Sequence, residues 1–247
     1  ALSTTLLLAT FYFFIKKSYV LFLFFAFLGG ITKEEIWVII ALFGLAVIFR
    51  SFFENRFRFM LTKKQVLEIF IGLFLFLTSA VIFYLLIWVI MPNLRREAHF
   101  ALSYYSGFGE TPSEVSKNVL LMPIKTLSII LSPQRLDYLV QLFLPFGFIS
   151  LLSPFYLIFA IPDLLINLLS SNKPLREIYY QYTSAITPFI LISSVYAISF
   201  FKKRFLKVES GLLIFYLLFA TSLSYYFHGP LPGGKHANLQ MFNNQLA

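Results

Sequence analysis

The chain has 247 residues, 59% of them hydrophobic and only 13% charged, with a mean hydropathy of +0.80. Soluble domains carry about 25% charged residues, so these figures exclude an ordinary soluble domain and indicate an integral membrane protein. The absence of cysteine excludes disulfides, thiol catalysis and thiolate metal sites. The net charge of +9 falls mainly in short basic turns between apolar runs, which fits cytoplasmic loops and argues against nucleic acid as a partner.

In chain order, the first apolar run, Ala1–Ile15, is shorter than the roughly 20 residues a span needs. It has no initiator Met and no charged segment ahead of it, so it reads as a helix cut within a longer protein, not as a signal peptide. Lys16 and Lys17 close it. Ser18–Ile31 is again short. The polar turn Thr32-Lys33-Glu34-Glu35 leads into Ile36–Phe49, with its acids placed to complement the helix dipole. A basic connector, 50–65, precedes the longest run, Val66–Met91, which ends on Tyr84, Trp88 and the expected terminator Pro92.

The longest polar segment, 93–137, contains Thr111-Pro112-Ser113-Glu114, a capping-box pattern with Pro at the first helical position. Val115, Val119 and Met122, then Leu127, Ile130 and Leu131, predict two short amphipathic helices on either side of Pro123. These lie on the membrane surface or pack on the protein's own loops. Ser132–Leu152 predicts a span bent at Pro145, and a second span opens at Ser153 and bends at Pro162. A polar bridge, 171–181, follows. Tyr182–Phe201 predicts a span kinked at Pro188, and Gly211–Phe227 the last one.

The fold class expected is therefore all-α, a polytopic transmembrane bundle of about eight apolar segments with short amphipathic helices in an outer loop. Residues 1–232 form the transmembrane domain, N-terminally truncated. Residues 93–137 form the extracytoplasmic loop, and 233–247 a polar tail that begins a missing C-terminal region. Lys16, Lys17, Arg50, Arg56, Arg58, Lys63, Lys64, Lys202, Lys203, Arg204 and Lys207 concentrate in three short turns. By the positive-inside rule, 50–65 and 202–208 are then cytoplasmic, and 93–137 and 171–181 extracytoplasmic, in a multi-pass protein of the cell membrane.

Several groups carry chemistry or plain structure. Glu34 and Glu35 fit either a charged turn or carboxylates lining an outer cavity, as a base or as ligands to a divalent metal or a substrate hydroxyl. Asp163 and Asn167, at i and i+4, share one helix face inside an apolar run, as a polar pair joining helices or as a cavity lining. Arg176 with Tyr179, Tyr180, Gln181 and Tyr182 suits an anionic or sugar-bearing ligand, or an interfacial aromatic belt with an anchoring Arg. His99, His228 and His236 have no metal-ligand spacing and read as surface residues.

Lys33-Glu34-Glu35 ahead of an apolar run, then LFLPFGFISLLSPFYLIFAIPDLLINLLSS and IYYQYTSAITPF, resembles the predicted membrane proteins of domain-of-unknown-function family 2079. That family is grouped with the GT-C membrane glycosyltransferases. The resemblance runs from about Ala1 to Pro232 and is most specific over 145–171 and 178–189. It implies an extracytoplasmic cavity and sugar transfer from a polyprenyl-phosphate donor in the lipid bilayer. It also implies a catalytic carboxylate in a first outer loop upstream of Ala1, so no catalytic residue is assigned here. Glu34, Asp163, Arg176, Tyr180 and Tyr182 are then ligand-binding positions, with Glu35, Asn167 and Tyr179 beside them. The cofactor stays open, a divalent metal among the options. The sequence also leaves open a transporter or lipid-handling protein, and a non-catalytic assembly subunit.

Overall fold

A computed structural model describes residues 2–54, 62–95, 100–204, 210–229 and 232–235. Arg56, Arg58, His99, Lys207, His236 and the rest of the tail lie outside the described residues. Within them the chain is helical and has no strand. The order is α1 (Leu2–Ile15), α2 (Tyr19–Thr32), α3 (Ile36–Glu54), α4 (Lys63–Tyr84), a π-helical turn (Leu85–Ile90) and α5 (Met91–Arg95). A 3-10 turn (Phe100–Tyr105) precedes α6 (Pro112–Leu121), α7 (Pro123–Ile130) and α8 (Pro133–Phe143). Three 3-10 segments (Leu144–Phe146, Ile149–Leu152, Pro154–Ala160) lead into α9 (Ile161–Leu169). Two more (Lys173–Arg176, Gln181–Thr183) precede α10 (Thr187–Arg204) and α11 (Ser210–His228).

Three helices are long and apolar enough to cross a membrane: α3, the continuous Lys63–Leu94 segment and α11. Leu2–Ile15, Tyr19–Thr32 and Pro154–Leu169 are apolar but shorter. Eight spans are therefore not counted among the described residues, and prolines explain the difference. Pro133, Pro154, Pro162 and Pro188 each stand in the first two positions of an element, and Pro145 sits inside a 3-10 turn. Proline lacks an N–H and fixes φ, so it is accommodated in a first turn and disfavoured in a helix interior. The two spans expected over 132–170 are thus broken into short pieces, and Pro188 opens α10 instead of kinking it. Pro92 does not end the long helix either. It occupies the second position of α5, after the π turn has changed the register so that the Met91 N–H reaches the Leu86 carbonyl.

The two amphipathic helices expected in the outer loop are present as α6 and α7. Thr111 caps α6 by accepting from the Glu114 N–H at 3.2 Å, but Glu114 turns back to the Glu110 N–H, so only half of the capping box forms. The capping box that closes fully is at α4, where Thr62 and Gln65 exchange both bonds.

The core is aromatic. Phe43 of α3 stacks on Phe159 at 4.4 Å between ring centres, and Phe159 on Phe189 of α10 at 5.5 Å. Phe14 and Phe22 meet Phe43 edge-on. Rings from α1, α2, α3, α10 and the 3-10 run thus form one apolar mass beneath α9. Ser193 of α10 donates to the carbonyls of Ser150 and Ser153, both at 2.6 Å, and ties down 3-10 turns that lack a full helical ladder. The chain reverses at Gly147 and Phe148, both with φ near +56°, and Tyr216 of α11 closes over the turn with a 2.7 Å bond to the Gly147 carbonyl.

Helices α3 and α4 cross at Gly44 and Gly72. A Cβ on Gly44 would lie 2.6 Å from the Gly72 carbonyl oxygen, and one on Gly72 2.7 Å from that of Gly44. Small residues let membrane helices approach this closely. A Gly44→Val change therefore forces the backbones apart, and we expect a loss of about 1–3 kcal/mol, the usual range for overpacking. Thermal unfolding of the detergent-solubilised protein measures it, with Gly211→Ala, where a Cβ meets nothing within 4 Å, as the control.

Candidate functional site

The unusual polar residues gather around α9. A helix of nine residues has no intrahelical partner for its last four carbonyls, and here side chains from elsewhere reach two of them. Tyr105 donates to the Ile166 carbonyl at 2.9 Å, and Arg135 of α8 to that of Leu168 at 2.8 Å. Just beyond the helix, the Ser170 carbonyl receives Arg135 at 3.4 Å and Arg176 at 3.1 Å. Two guanidiniums therefore converge on the negative end of the α9 dipole. Burial, and then the adjacent Arg176 charge, lower the Arg135 pKa from its ordinary value. Burial raises that of the Tyr105 hydroxyl.

The buried face of α9 carries Asp163 and Asn167, each 2% exposed. The Asn167 amide donates to the Tyr138 hydroxyl at 2.9 Å and to the Tyr182 carbonyl at 3.0 Å, joining α8, α9 and the polar bridge. Asp163 has one carboxylate oxygen, Oδ2, buried without a hydrogen-bond partner. Its charged neighbours are Glu35, Lys33 and Glu34, all in the turn between α2 and α3. Lys33 pairs with Glu35 at 3.1 Å, donates to the Gln181 carbonyl at 3.3 Å and lies over the Tyr182 ring at 5.6 Å. That turn is set by Gly30, whose missing side chain leaves room for the Trp37 indole.

The structure thus brings Glu34, Glu35, Asp163, Asn167 and Tyr182 to one locality, with the half-exposed Tyr180 ring 6.4 Å from that of Tyr182. Arg176 and Tyr179 stand apart from it. They line an open recess of about 1020 Å³ together with α8, α11, Lys173, Glu177 and Lys235. Its apolar wall is Val140, Leu144, Leu223 and Phe227. Its two carboxylates already have partners: Glu177 faces Lys173 at 3.4 Å, and Asp137 accepts from Gln141 at 2.7 Å. Arg176 and Lys235 are the remaining cations of the lining. Tyr179 closes one rim through a 2.5 Å bond to the His228 carbonyl.

Residues that sequence reasoning passed over also matter. Arg135 and Tyr138 lie at the start of a stretch read as a span, and the polar surroundings Ser132-Pro133-Gln134 and Asp137 gave no signal that set Arg135 apart. Glu68 near the start of α4 is 2% exposed, with its Oε1 buried and unpartnered. The Tyr19 hydroxyl stands between it and Arg50, which donates to that hydroxyl at 3.1 Å and to the Phe14 carbonyl at 2.7 Å. An acid inside lipid-length apolar sequence marked Asp163, and the same signal applied to Glu68. Among the described residues no three His, Asp or Glu side chains group as metal ligands.

The family profile described as "Predicted membrane protein (DUF2079)" matches residues 2–231. No curated protein and no solved structure matches the chain.

Asn167 generates a direct test. Asn167→Leu leaves the fully buried Tyr138 hydroxyl unpaired, at an expected cost of about 1–3 kcal/mol. Adding Tyr138→Phe removes the stranded hydroxyl, so the double variant should melt higher than Asn167→Leu alone.

Proposed function

The chain belongs to the DUF2079 family of predicted membrane proteins, and from that premise we propose that it holds a phosphate-bearing isoprenoid carrier during sugar transfer of the GT-C type. The observation that carries this reading is the two-sided recess between α8, the 171–181 bridge and α11. Arg176 and Lys235 present cationic groups to a phosphate, while Leu144, Leu223 and Phe227 present an apolar wall to a lipid chain. Arg suits phosphate because its planar fork makes paired hydrogen bonds, and Arg176 uses only one N–H direction on Ser170. Tyr179 supplies a ring face at the rim for a sugar. Asp163 and Asn167 are buried, and Asn167 acts from behind by holding the Tyr182 end of the bridge in place. Glu34 and Glu35 flank the same bridge through Lys33. With basic loops inward, this face is extracytoplasmic.

A second reading, transport of a small solute or lipid, is favoured by one feature. The unpaired Asp163 Oδ2 sits in a proline-broken apolar segment, as ionisable groups on transport paths do.

Full-length protein in lipid nanodiscs distinguishes the two. Polyprenyl-phosphate sugar should bind, and Arg176→Ala should weaken binding by roughly 10- to 100-fold, the loss expected for a hydrogen bond to a charged group. Unaltered affinity in Arg176→Ala, or no binding by the wild type, rejects the carrier reading. Solute uptake into vesicles that Asp163→Asn abolishes supports transport in its place.

A further inference from the structure

The outer side of the α6–α7 pair carries an apolar stripe that neither the recess nor the α9 site uses. Leu120 is 79% exposed, Ile124 84%, Leu127 55% and Leu131 60%, with Leu121 beside them at 66%. Ile124, Leu127 and Leu131 recur at i, i+3 and i+7 along α7 and its C-cap, on one helical face, and Leu120 and Leu121 end α6 just ahead of the break at Met122. The opposite side is already occupied. Thr126 is buried and donates to the Val119 carbonyl, Ile130 packs against the core, and Asn118 donates to the Phe108 carbonyl at 2.6 Å. Packing on the protein's own loops therefore accounts for the inner face and leaves the outer stripe without cover among the described residues.

Position says what covers it. The 32-residue Lys63–Leu94 helix is about 48 Å long at 1.5 Å per residue, against a hydrocarbon core of about 30 Å. Its exposed Leu85, Trp88, Val89, Ile90 and Leu94 carry an apolar surface to its end. Only five residue steps, at most about 18 Å of chain, separate Arg95 from the turn at Phe100 that begins the loop. The loop that carries the stripe thus starts within that reach of the end of a helix long and apolar enough to cross a membrane. It is flanked by the exposed Lys117 and by Lys125, whose ammonium is braced on the Gly107 carbonyl and lies over the Phe108 ring. Apolar face, basic flank and Pro-opened short helices fit the interfacial plane of a bilayer.

We propose that α6 and α7 seat their Leu120–Ile124–Leu127–Leu131 stripe in the outer part of a lipid monolayer. Because α7 rests against α9 through its inner face, the seated pair fixes the depth of the α9 site and of the adjoining recess relative to the lipid surface. This holds whatever ligand the recess takes.

These 247 residues hold no cysteine, so a cysteine introduced among them is the one labelling site they offer. Full-length Leu120→Cys, Ile124→Cys and Leu127→Cys, each carrying an environment-sensitive fluorophore, are compared with Ser106→Cys and Glu110→Cys, exposed positions in the loop ahead of α6, in vesicles of phosphatidylcholine and phosphatidylglycerol. Lipids brominated on the acyl chain should quench the three stripe positions at least twofold more than the two loop positions. Equal quenching at all five overturns the proposal. So does spontaneous disulfide cross-linking of Ile124→Cys between copies together with protection from the brominated lipid, which would assign the stripe to a second copy of the chain.

Discussion

A nine-residue helix in an apolar setting must find partners for carbonyls that its own ladder cannot reach. That requirement organises the middle of this protein. Tyr105 from the turn ahead of α6, Arg135 from α8 and Arg176 from the bridge each come from a different part of the chain and meet at the C-terminal end of α9. An unsatisfied carbonyl in a dry environment costs on the order of 1–3 kcal/mol, so these contacts are conditions for the short helix to exist. The side chains that satisfy the helix also fix the Phe100–Tyr105 turn, α8 and the bridge around it. The polar locality and the recess are by-products of that arrangement.

The apolar frame makes this possible. Phe43, Phe159 and Phe189 stack beneath α9 and give the 3-10 run a flat support that regular helical hydrogen bonding does not provide there. Large rings suit the task because each buries much area and stacks with offset faces. Ser193 then ties the irregular backbone to α10. The polar chemistry of the protein thus rests on a rigid hydrophobic floor.

Much of the architecture was legible in the sequence. Composition indicates a membrane protein, the capping pattern at Thr111 and the apolar spacing through Ile130 indicate α6 and α7, and the polar turn at Lys33 indicates a tight α2–α3 connection. The clustering of Glu34, Glu35, Asp163, Asn167 and Tyr182 follows from their being the out-of-place polar residues of a hydrophobic chain. What was not legible was continuity. Apolar runs of spanning length over 132–170 looked like helices because hydropathy ignores where a donor is missing. Five prolines divide the chain at the points named above, and the stretch from Leu144 to Ala160, between α8 and α9, is built of short 3-10 pieces. Arg135 was hidden for the same reason, since its role depends on α9 ending where it does. The separation of Arg176 and Tyr179 from the acidic cluster was equally invisible, because neighbours in sequence across a turn-rich bridge diverge in space.

The π turn at Leu85–Ile90 has its own outcome. A π turn accommodates one extra residue, and each residue advances a helix by about 100°. The side of the rod that meets α3 at Gly72 is consequently swung around the axis before the rod terminates, and Leu94 points into open space at 79% exposure. The seam between the two helices is a zipper that stops partway; beyond it Leu86 still rests against the core, and the apolar end of the rod stands uncovered among the described residues.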